Sequence, residues 1–210
     1  QFPGKIWEKA AQLGFSGIHI PEQFDGGGMG LLEYVLTAEE MCKKDSSMGM
    51  ALMLAGFGAE CLFRFASTRL SEKYLPPVTA GKMRAGAAFF EPQAGPSFAA
   101  LATAEPESDH WIINGTKAHV PNGTGAGFYV VLCRISPGGP EDDEPRSSLI
   151  VVDTDTEGIT VESAGPTLGA GLTDFAHVTF DHATAPKENR IGKKGFGRDQ
   201  ALAFVDEARI

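Results

Sequence analysis

Apolar residues recur at the spacing of an amphipathic helix through the first third of the chain. Polar or charged positions separate them on the opposite helical face, and glycine or proline interrupts the pattern between segments. Asp45 and the serines after it offer an N-cap for a nearly all-apolar segment, which is typical of a buried helix. The pattern predicts a small bundle of four helices, over residues 4–13, 31–44, 48–63 and 71–81, the last capped by Ser71 and interrupted or kinked at Pro76-Pro77.

The pattern changes at Arg84 to short runs of β-branched and aromatic residues. Asn114-Gly115 predicts a hairpin turn inside the run 110–120. The spacing of about seven such runs favours an antiparallel β-sandwich or barrel. They are 85–90, 110–120, 128–135, 147–154, 158–164 and 175–184, completed by a final turn, with the polar loop 137–145 between the third and fourth.

A helical pattern returns at Gly195 and continues to the last residue. The fold class is therefore predicted to be α+β, with an N-terminal helical bundle, a middle β-domain and the start of a C-terminal helical domain. We expect the domains to span residues 1–83, 84–194 and 195–210. The helical opening without a leader-like segment, and the helix running to Ile210, suggest a piece of a longer protein.

The net charge of −9 argues against a nucleic-acid or anionic-membrane partner, because phosphate groups would be repelled. No run approaches the length of a membrane span, so none is predicted. Cys42, Cys61 and Cys133 are widely spaced and form no metal-binding cluster with histidine, so no metal site is predicted. Reduced, buried thiols in a reducing compartment are the simpler interpretation, and we expect a cytoplasmic location.

Five segments carry recognisable motifs, in order along nearly the whole chain. They are LGFSGIHIPEQFDGGGMG (13–30), FFEPQAGPS (89–97), WIINGTKAHVPNG (111–123), FDHATAPKENRIG (180–192) and FVDEARI (204–210). In this order they resemble the "PEEYGG.G", "TEP.AGSD", "INGxKxWITNG" and "VP.eN.lG" motifs and the "ld.eR" start of the C-terminal bundle of the acyl-CoA dehydrogenase family.

The resemblance implies a flavoprotein oxidoreductase of fatty acid metabolism, with FAD between the middle domain and a C-terminal helical bundle. In this family a carboxylate removes the α-proton of an acyl-CoA and a β-hydride passes to the flavin. Hydrogen bonds to the thioester carbonyl acidify that proton. An electron-transfer flavoprotein then accepts the electrons, and the family is usually a dimer or tetramer.

Carried over residue by residue, the resemblance places the flavin against two segments. In the first, Phe90 replaces a threonine that bonds the flavin ring, so Phe89 and Phe90 could offer only backbone groups, and Gly95 follows in the same motif. In the second, His119 replaces a tryptophan that packs on the flavin, and Pro121 replaces a threonine that bonds it. His119 can stack and donate a hydrogen bond, or it faces solvent or a neighbouring subunit.

The resemblance also implies contacts to the CoA or acyl moiety. Pro96 stands where the family has serine, and Ser97 follows it. Thr173 matches a family serine or threonine, and Asp206 and Arg209 match contacts from the first bundle helix. A surface or intersubunit salt bridge is the alternative for Arg209.

No catalytic base is predicted in this chain. A subset of the family carries the base on this helix directly before the arginine, where this chain has Ala208. Glu207 points about 100° away around the helix and is expected to be a solvated carboxylate.

Three hypotheses follow. The first is an acyl-CoA dehydrogenase of which this chain alone is inactive. The second is a non-catalytic or weakly FAD-binding subunit of a heteromeric acyl-CoA dehydrogenase, suggested by the altered flavin positions. The third is a relative that uses flavin for another reaction, such as nitroalkane oxidation or monooxygenation.

Overall fold

The computed structural model of the protein describes residues 2–94, 98, 100–135 and 146–209. It confirms the α+β fold, with helices first, a large sheet next and a final helix. The predicted site residues Gly95, Pro96 and Ser97 and the predicted polar loop 137–145 lie outside the described residues. The division into domains at residues 83 and 194 stays a prediction, although the first strand begins at Ala85 and the last helix at Gly197.

In the part of the chain that the structure describes, five α-helices precede the sheet and one follows it. Gly14, with φ +87°, follows the end of the first helix, and Asp45 caps the third by accepting the Met48 N–H at 2.9 Å, both at the predicted positions. The helices are α1 Gly4–Gln12, α2 Leu31–Lys44, α3 Ser46–Met53, α4 Glu60–Phe65, α5 Thr68–Thr79 and α6 Gly197–Ala208, with short 3₁₀ turns at Phe15–Gly17, Glu22–Phe24, Leu54–Gly56 and Lys187–Asn189.

The single helix predicted over 48–63 is wrong. The segment is α3, a 3₁₀ turn and α4, and the chain changes direction at Gly58, which has φ +105°. A Cβ at Gly58 would lie 3.2 Å from that of Ala87, so glycine is needed both for the backbone angle and for the approach of β1. Helical propensity alone could not reveal this break, because it is set by packing against the sheet.

The predicted cap at Ser71 is also wrong. Ser67 caps α5 and accepts the Leu70 N–H at 3.3 Å, while Ser71 lies inside the helix and donates to the Leu62 carbonyl at 3.0 Å. Pro76 and Pro77 sit in the last turns of the helix, which continues to Thr79. The two prolines therefore do not interrupt the helix.

By length and composition the segment Ser46–Phe65 would qualify as a membrane span, with 20 residues and a mean hydropathy of 1.3. The expectation that no run reaches this length is therefore wrong by that measure. The observation is weak evidence for a membrane, since core helices of soluble proteins pass the same test. In this fold Ala59, Cys61 and Leu62 of the segment lie in a core shared with the sheet.

Within the described residues eight strands pair in one sheet, close to the expected number of about seven. Their order is β6-β7-β3-β2-β4-β5-β8, and β1 pairs with β4 beside this path. Most pairs are antiparallel, as predicted, but β1 and β2 both run parallel to β4. The strands are β1 Ala85–Ala88, β2 Thr103–Glu107, β3 His110–Pro121, β4 Phe128–Ile135, β5 Arg146–Asp153, β6 Ile159–Ser163, β7 Phe175–Pro186 and β8 Arg190–Ile191.

Asn114-Gly115 does not form the hairpin turn that the dipeptide predicts. It lies within β3, where the Asn114 side chain accepts the backbone N–H of His182 at 2.8 Å across an irregularity in the β3–β7 ladder. The hairpin turn is Ser108-Asp109, between β2 and β3. Gly115 is required for a different reason, because its Cβ would lie 2.6 Å from that of Ala102.

The central strands β4 and β5 are apolar on both faces because each face fills a different core. Phe128, Val130 and Leu132 of β4 face the helices in one cluster, while Tyr129, Val131 and Cys133 face β3 and β7 in the other. This double burial explains why these two strands appear in the sequence as continuous hydrophobic runs rather than alternating ones. The three cysteines are free thiols, and Cys61 and Cys133 are buried.

All three tyrosines should resist ionisation in the folded protein. Burial is the main cause that raises the pKa of Tyr74 and of Tyr129 to about 12 and that of Tyr34 also well above its usual value. Folding therefore favours the neutral phenols, and the stability they contribute is complete below pH ~10 and is lost as pH rises through about 12. We expect almost no tyrosinate absorbance at pH ~10.5 until denaturant is added. A native titration near the usual tyrosine value would contradict this.

Candidate functional site

The strand β3 is distorted at the position where the sequence predicts a flavin contact. Lys117 pairs with Val178 and Val120 with Ala176, so Ala118 and His119 together stand opposite one residue of β7. His119 adopts φ +51°, which is uncommon for a residue other than glycine. Such a β-bulge re-aims side chains, and here the His119 side chain is exposed between two buried neighbours.

The first predicted flavin segment, at residues 89–91, lies directly beside this bulge. The Ala118 N–H donates to the Phe90 carbonyl at 2.9 Å, which joins the end of β1 to β3. The structure therefore brings the predicted segments 89–91 and 117–121 together, although they are far apart in the sequence. The individual roles of Phe89, Phe90, His119 and Pro121 stay predictions.

The side chains of these two segments fit a flavin only in part. The Phe90 ring packs at 5.0 Å from that of Phe98, and Phe89 is buried with its ring edge-on to Phe204. Pro121 is buried in the ladder opposite Phe175. None of these side chains offers a hydrogen bond, so the exposed imidazole of His119 is the side chain here that can contact a flat cofactor ring.

A buried ion pair underlies both segments. The Lys117 ammonium lies 2.5 Å from the Glu91 carboxylate, and the two side chains are 0% and 3% exposed. Lys117 also donates to the Leu132 carbonyl at 2.5 Å, and Glu91 accepts the N–H groups of Leu101 and Ala102 at 2.9–3.1 Å. The ion pair therefore joins segments 89–91 and 117–121 to each other and to the backbone at Leu101, Ala102 and Leu132.

Sequence reasoning missed this pair. The available signals were a lysine inside an otherwise apolar β-run, HWIINGTKAHV, and a glutamate directly after the apolar run AGAAFF. A charged residue in a buried strand needs a buried partner. The sequence could have predicted that Lys117 is paired, but not with which carboxylate.

Thr173 precedes β7 and is 7% exposed, and its hydroxyl has no hydrogen-bond partner among the described residues. The adjacent Asp174 is held by Arg84, at 3.2 Å, and by the Thr124 hydroxyl. The Arg84 guanidinium also lies over the Phe2 ring, with 4.0 Å to its centroid. The Thr173 hydroxyl is thus a buried polar group without a partner among the described residues, next to this charged cluster.

The α6 candidates are placed on one helical face, as predicted. The Arg209 guanidinium lies 3.4 Å from the Asp206 carboxylate, and both side chains are about two-thirds exposed. Glu207 is exposed, as predicted, and it also pairs with Arg64 of α4 at 2.9 Å. That ion pair joins α6 to the helical part.

A small polar cavity lies in the helical part, away from these segments. His19 contacts Glu60 at 3.0 Å, and the Tyr34 hydroxyl donates to the Met53 carbonyl at 2.9 Å. The cavity that these residues line has a volume of about 10 Å³. This is room for about one water molecule, so the cavity cannot hold a flavin or an acyl-CoA.

Comparison with known proteins identifies two domains in the chain. Residues 1–82 match the domain described as "Acyl-CoA dehydrogenase, N-terminal domain", and residues 86–183 match "Acyl-CoA dehydrogenase, middle domain". The two matches cover both the helical part and most of the sheet, including the bulge at His119.

Relatives and solved structures agree with this match. The chain is 29% identical to the acryloyl-CoA reductase (NADH) of Anaerotignum propionicum and covers 53% of it. A chain in a structure described as the electron transferring flavoprotein of Acidaminococcus fermentans is 28% identical, with a TM-score of 0.89 and 55% of its length covered. A FAD-dependent dehydrogenase is also 28% identical, with a TM-score of 0.88 and 57% covered. Each match covers 99–100% of this chain, which thus spans about half the length of these proteins.

Proposed function

Because the chain belongs to the acyl-CoA dehydrogenase family, we propose that the whole protein is an FAD-dependent oxidoreductase that removes hydrogen from the α and β carbons of an acyl-CoA. The observation that carries this proposal is the joining of segments 89–91 and 117–121 through the Ala118–Phe90 hydrogen bond at an exposed His119. Both segments lie within the matched middle domain. The proposal extends to fatty acid metabolism and to a cytoplasmic location, supported by the free thiols.

FAD, when bound, would accept the hydride. The residues of this chain that would hold it are His119, by stacking, and the backbone of Phe89 and Phe90. The unpartnered hydroxyl of Thr173 would bind the CoA or acyl moiety, with Asp206 and Arg209 contacting it from α6. A FAD-dependent dehydrogenase among the similar structures supports the cofactor.

We assign no base to the described residues. Ala208 cannot remove a proton and Glu207 is engaged by Arg64, so the chain alone should be inactive in dehydrogenation. One relative is named as a reductase, so electron flow should be assayed in both directions. The structure described as an electron transferring flavoprotein supports such a protein as the electron partner, and we expect a homo- or hetero-oligomer.

A second function is favoured by the two altered flavin positions. Phe90 packs on Phe98 and Pro121 is fixed in the ladder, so neither supplies the hydrogen bond that the family resemblance implies. The chain would then serve as a non-catalytic or weakly FAD-binding subunit beside a catalytic homologue. Its contribution would be an interface and not a flavin site.

Titration of FAD into the full-length protein separates these two functions. We expect binding, with a roughly two- to tenfold loss of affinity in His119→Ala, because the stacked ring is removed, and a gain in Pro121→Thr, which restores a hydroxyl. The control His182→Ala changes an exposed histidine elsewhere in β7 and should bind FAD as the wild type does.

Bleaching of the bound flavin by an acyl-CoA would support dehydrogenation over another flavin reaction. A protein that binds no FAD, and that activates a homologous subunit on mixing, would overturn the first function in favour of the second. A flavin that binds but is reduced by no acyl-CoA would overturn the substrate assignment alone.

A further inference from the structure

Strand β6 forms one edge of the sheet, and no described strand pairs with its outer side. On its inner side it pairs with β7 in an unbroken antiparallel register, from Ile159 opposite Phe180 to Ser163 opposite Ala176. Ile159 is half-buried and the other four residues of β6 are exposed. The backbone groups that point to this edge are therefore accessible to a further strand.

Backbone hydrogen bonds at the two ends of β6 identify those groups. The Gly158 carbonyl accepts the Asp181 N–H at 2.8 Å, and the Ala164 N–H donates to the Phe175 carbonyl at 2.8 Å. In an antiparallel ladder, residues that bond to the neighbouring strand alternate with residues that bond away from it. Because positions 158 and 164 bond to β7, the even positions between them do so too. The N–H and C=O groups that point to the free edge are those of Ile159, Val161 and Ser163.

This edge lacks the features with which proteins usually prevent further pairing. Edge strands are commonly very short, or carry lysine, proline or a bulge. The strand at the opposite edge of the sheet, β8, follows this rule, because it has two residues and one of them is Arg190. By contrast, β6 has five residues, contains no lysine, arginine or proline, and pairs with β7 without a shift in register. A regular edge of this kind favours the addition of a strand.

Val161 adds an apolar contact at the middle of the edge. Its partner in the ladder, Val178, is buried in the core, so the Val161 side chain lies on the core side of the sheet. It is nevertheless 38% exposed. A strand added at this edge would remove apolar surface of Val161 from water.

We propose that β6 pairs with β6 of a second copy of this chain, antiparallel and across a two-fold axis at Val161. In this register the outward-pointing groups of Val161 meet those of the partner subunit's Val161, and those of Ile159 meet the partner subunit's Ser163. Each such pair exchanges two hydrogen bonds. Glu162, the one charged residue of β6, lies opposite the partner subunit's Thr160, so no like charges face each other directly.

This self-complementarity is why a second copy fits the edge better than an unrelated strand. A two-fold contact is also closed, so it joins two copies and does not propagate into a fibre. A ladder of five residues a side is smaller than the about 1,200 Å² of a stable interface. We therefore expect it to fix the register in which two copies meet and to add to other contacts.

The contact deepens the expectation of an oligomer stated above, but it uses none of the residues assigned to FAD or to CoA. Cross-linking at β6 is measured in the same way whether or not the protein binds FAD. A failure of the contact would leave the flavin proposal untouched, and a failure to bind FAD would leave the contact untouched.

Disulfide cross-linking of the full-length protein tests the contact. The background is Cys42→Ser, which removes the one cysteine of this chain that is not buried. Under mild oxidation we expect Val161→Cys to form a covalent dimer, because paired Cα atoms lie about 5.5 Å apart at such a position, within the range of a disulfide. Thr160→Cys is the matched control. Residue 160 is also exposed, but its two copies would lie about 8 Å apart and should not cross-link.

A mixed experiment tests the register. When Thr160→Cys protein and Glu162→Cys protein are mixed before oxidation, we expect the mixed dimer, because these two positions face each other across the axis. Adding Val161→Lys to both proteins should lower its yield by at least about tenfold, since two ammonium groups then meet at the axis. Val161→Thr keeps a branched side chain of similar size and should keep the cross-link.

Folding defects can be separated from loss of the contact. Residue 161 is exposed and its N–H points away from β7, so Val161→Lys and Val161→Thr should both keep the thermal midpoint of the wild type. Absence of a Val161→Cys dimer, or equal cross-linking of Val161→Cys and Thr160→Cys, would overturn the proposal.

Discussion

Replacing Lys117 by methionine should lower the free energy of unfolding by about 3–5 kcal/mol, because a buried carboxylate then loses its cationic partner. Glu91 would keep the N–H groups of Leu101 and Ala102 but lose the ammonium at 2.5 Å. Lys117 would also cease to donate to the Leu132 carbonyl. Urea denaturation measured by circular dichroism gives the change directly.

The double variant Lys117→Met, Glu91→Gln should be more stable than Lys117→Met alone. Glutamine keeps an oxygen for the two N–H groups and buries no charge, so at least about 1 kcal/mol should return. Lys43→Met is the matched control, because Lys43 pairs with Glu39 and Glu40 on the surface and should leave the urea midpoint unchanged. Equal midpoints for Lys117→Met and wild type would contradict the assigned role of the pair.

Replacing Asn122 by aspartate should weaken the coupling between the helical part and the sheet, so that the two parts unfold separately. The Asn122 amide is fully buried and donates to the carbonyls of Leu54, Ala55 and Ala85, at 2.6, 3.3 and 2.9 Å. A carboxylate of the same shape would point oxygen at three oxygens. We expect a loss of about 3 kcal/mol, of which the nearby Arg84 offsets a part.

The two tryptophans allow this separation to be measured. Trp7 lies in α1 and Trp111 in β3, so Trp7→Phe and Trp111→Phe backgrounds report the two parts one at a time. In the wild type we expect coincident unfolding curves, and in Asn122→Asp the two curves should diverge. Asn122→Gly keeps the φ of +58° and should cost less than aspartate. Coincident curves in Asn122→Asp would show that the amide does not couple the two parts.

The contacts that this chain can offer a flavin depend on three residues that depart from the family pattern. Phe90, His119 and Pro121 were identified as departures from the family pattern, and the structure shows why two of them offer no side-chain hydrogen bond. Phe90 is committed to packing on Phe98, and Pro121 to the ladder with Phe175. The cofactor contact rests on His119 and on backbone groups.

The sequence by itself determined the order of elements, because periodicity is local. The bounds of α2 and β4, the cap at Asp45 and most of the other strands follow from patterns over a few neighbouring residues, whereas β2 at Thr103–Glu107 was not predicted. Family membership also lies in the sequence, since motifs at the right spacing carry it. Both depend on residues that are neighbours along the chain.

Only the tertiary structure decided the features that depend on distant partners. Asn114-Gly115 has the local signal of a hairpin, but β7 and Ala102 on either side hold it in a strand. The 48–63 segment breaks at Gly58 because β1 approaches there. The bulge at His119 and the pairing of Lys117 with Glu91 are set by strands whose contacts are separated by tens of residues. Local propensities of about 1 kcal/mol per residue cannot outweigh such packing and burial, which is why the sequence shows the elements and the fold decides the site.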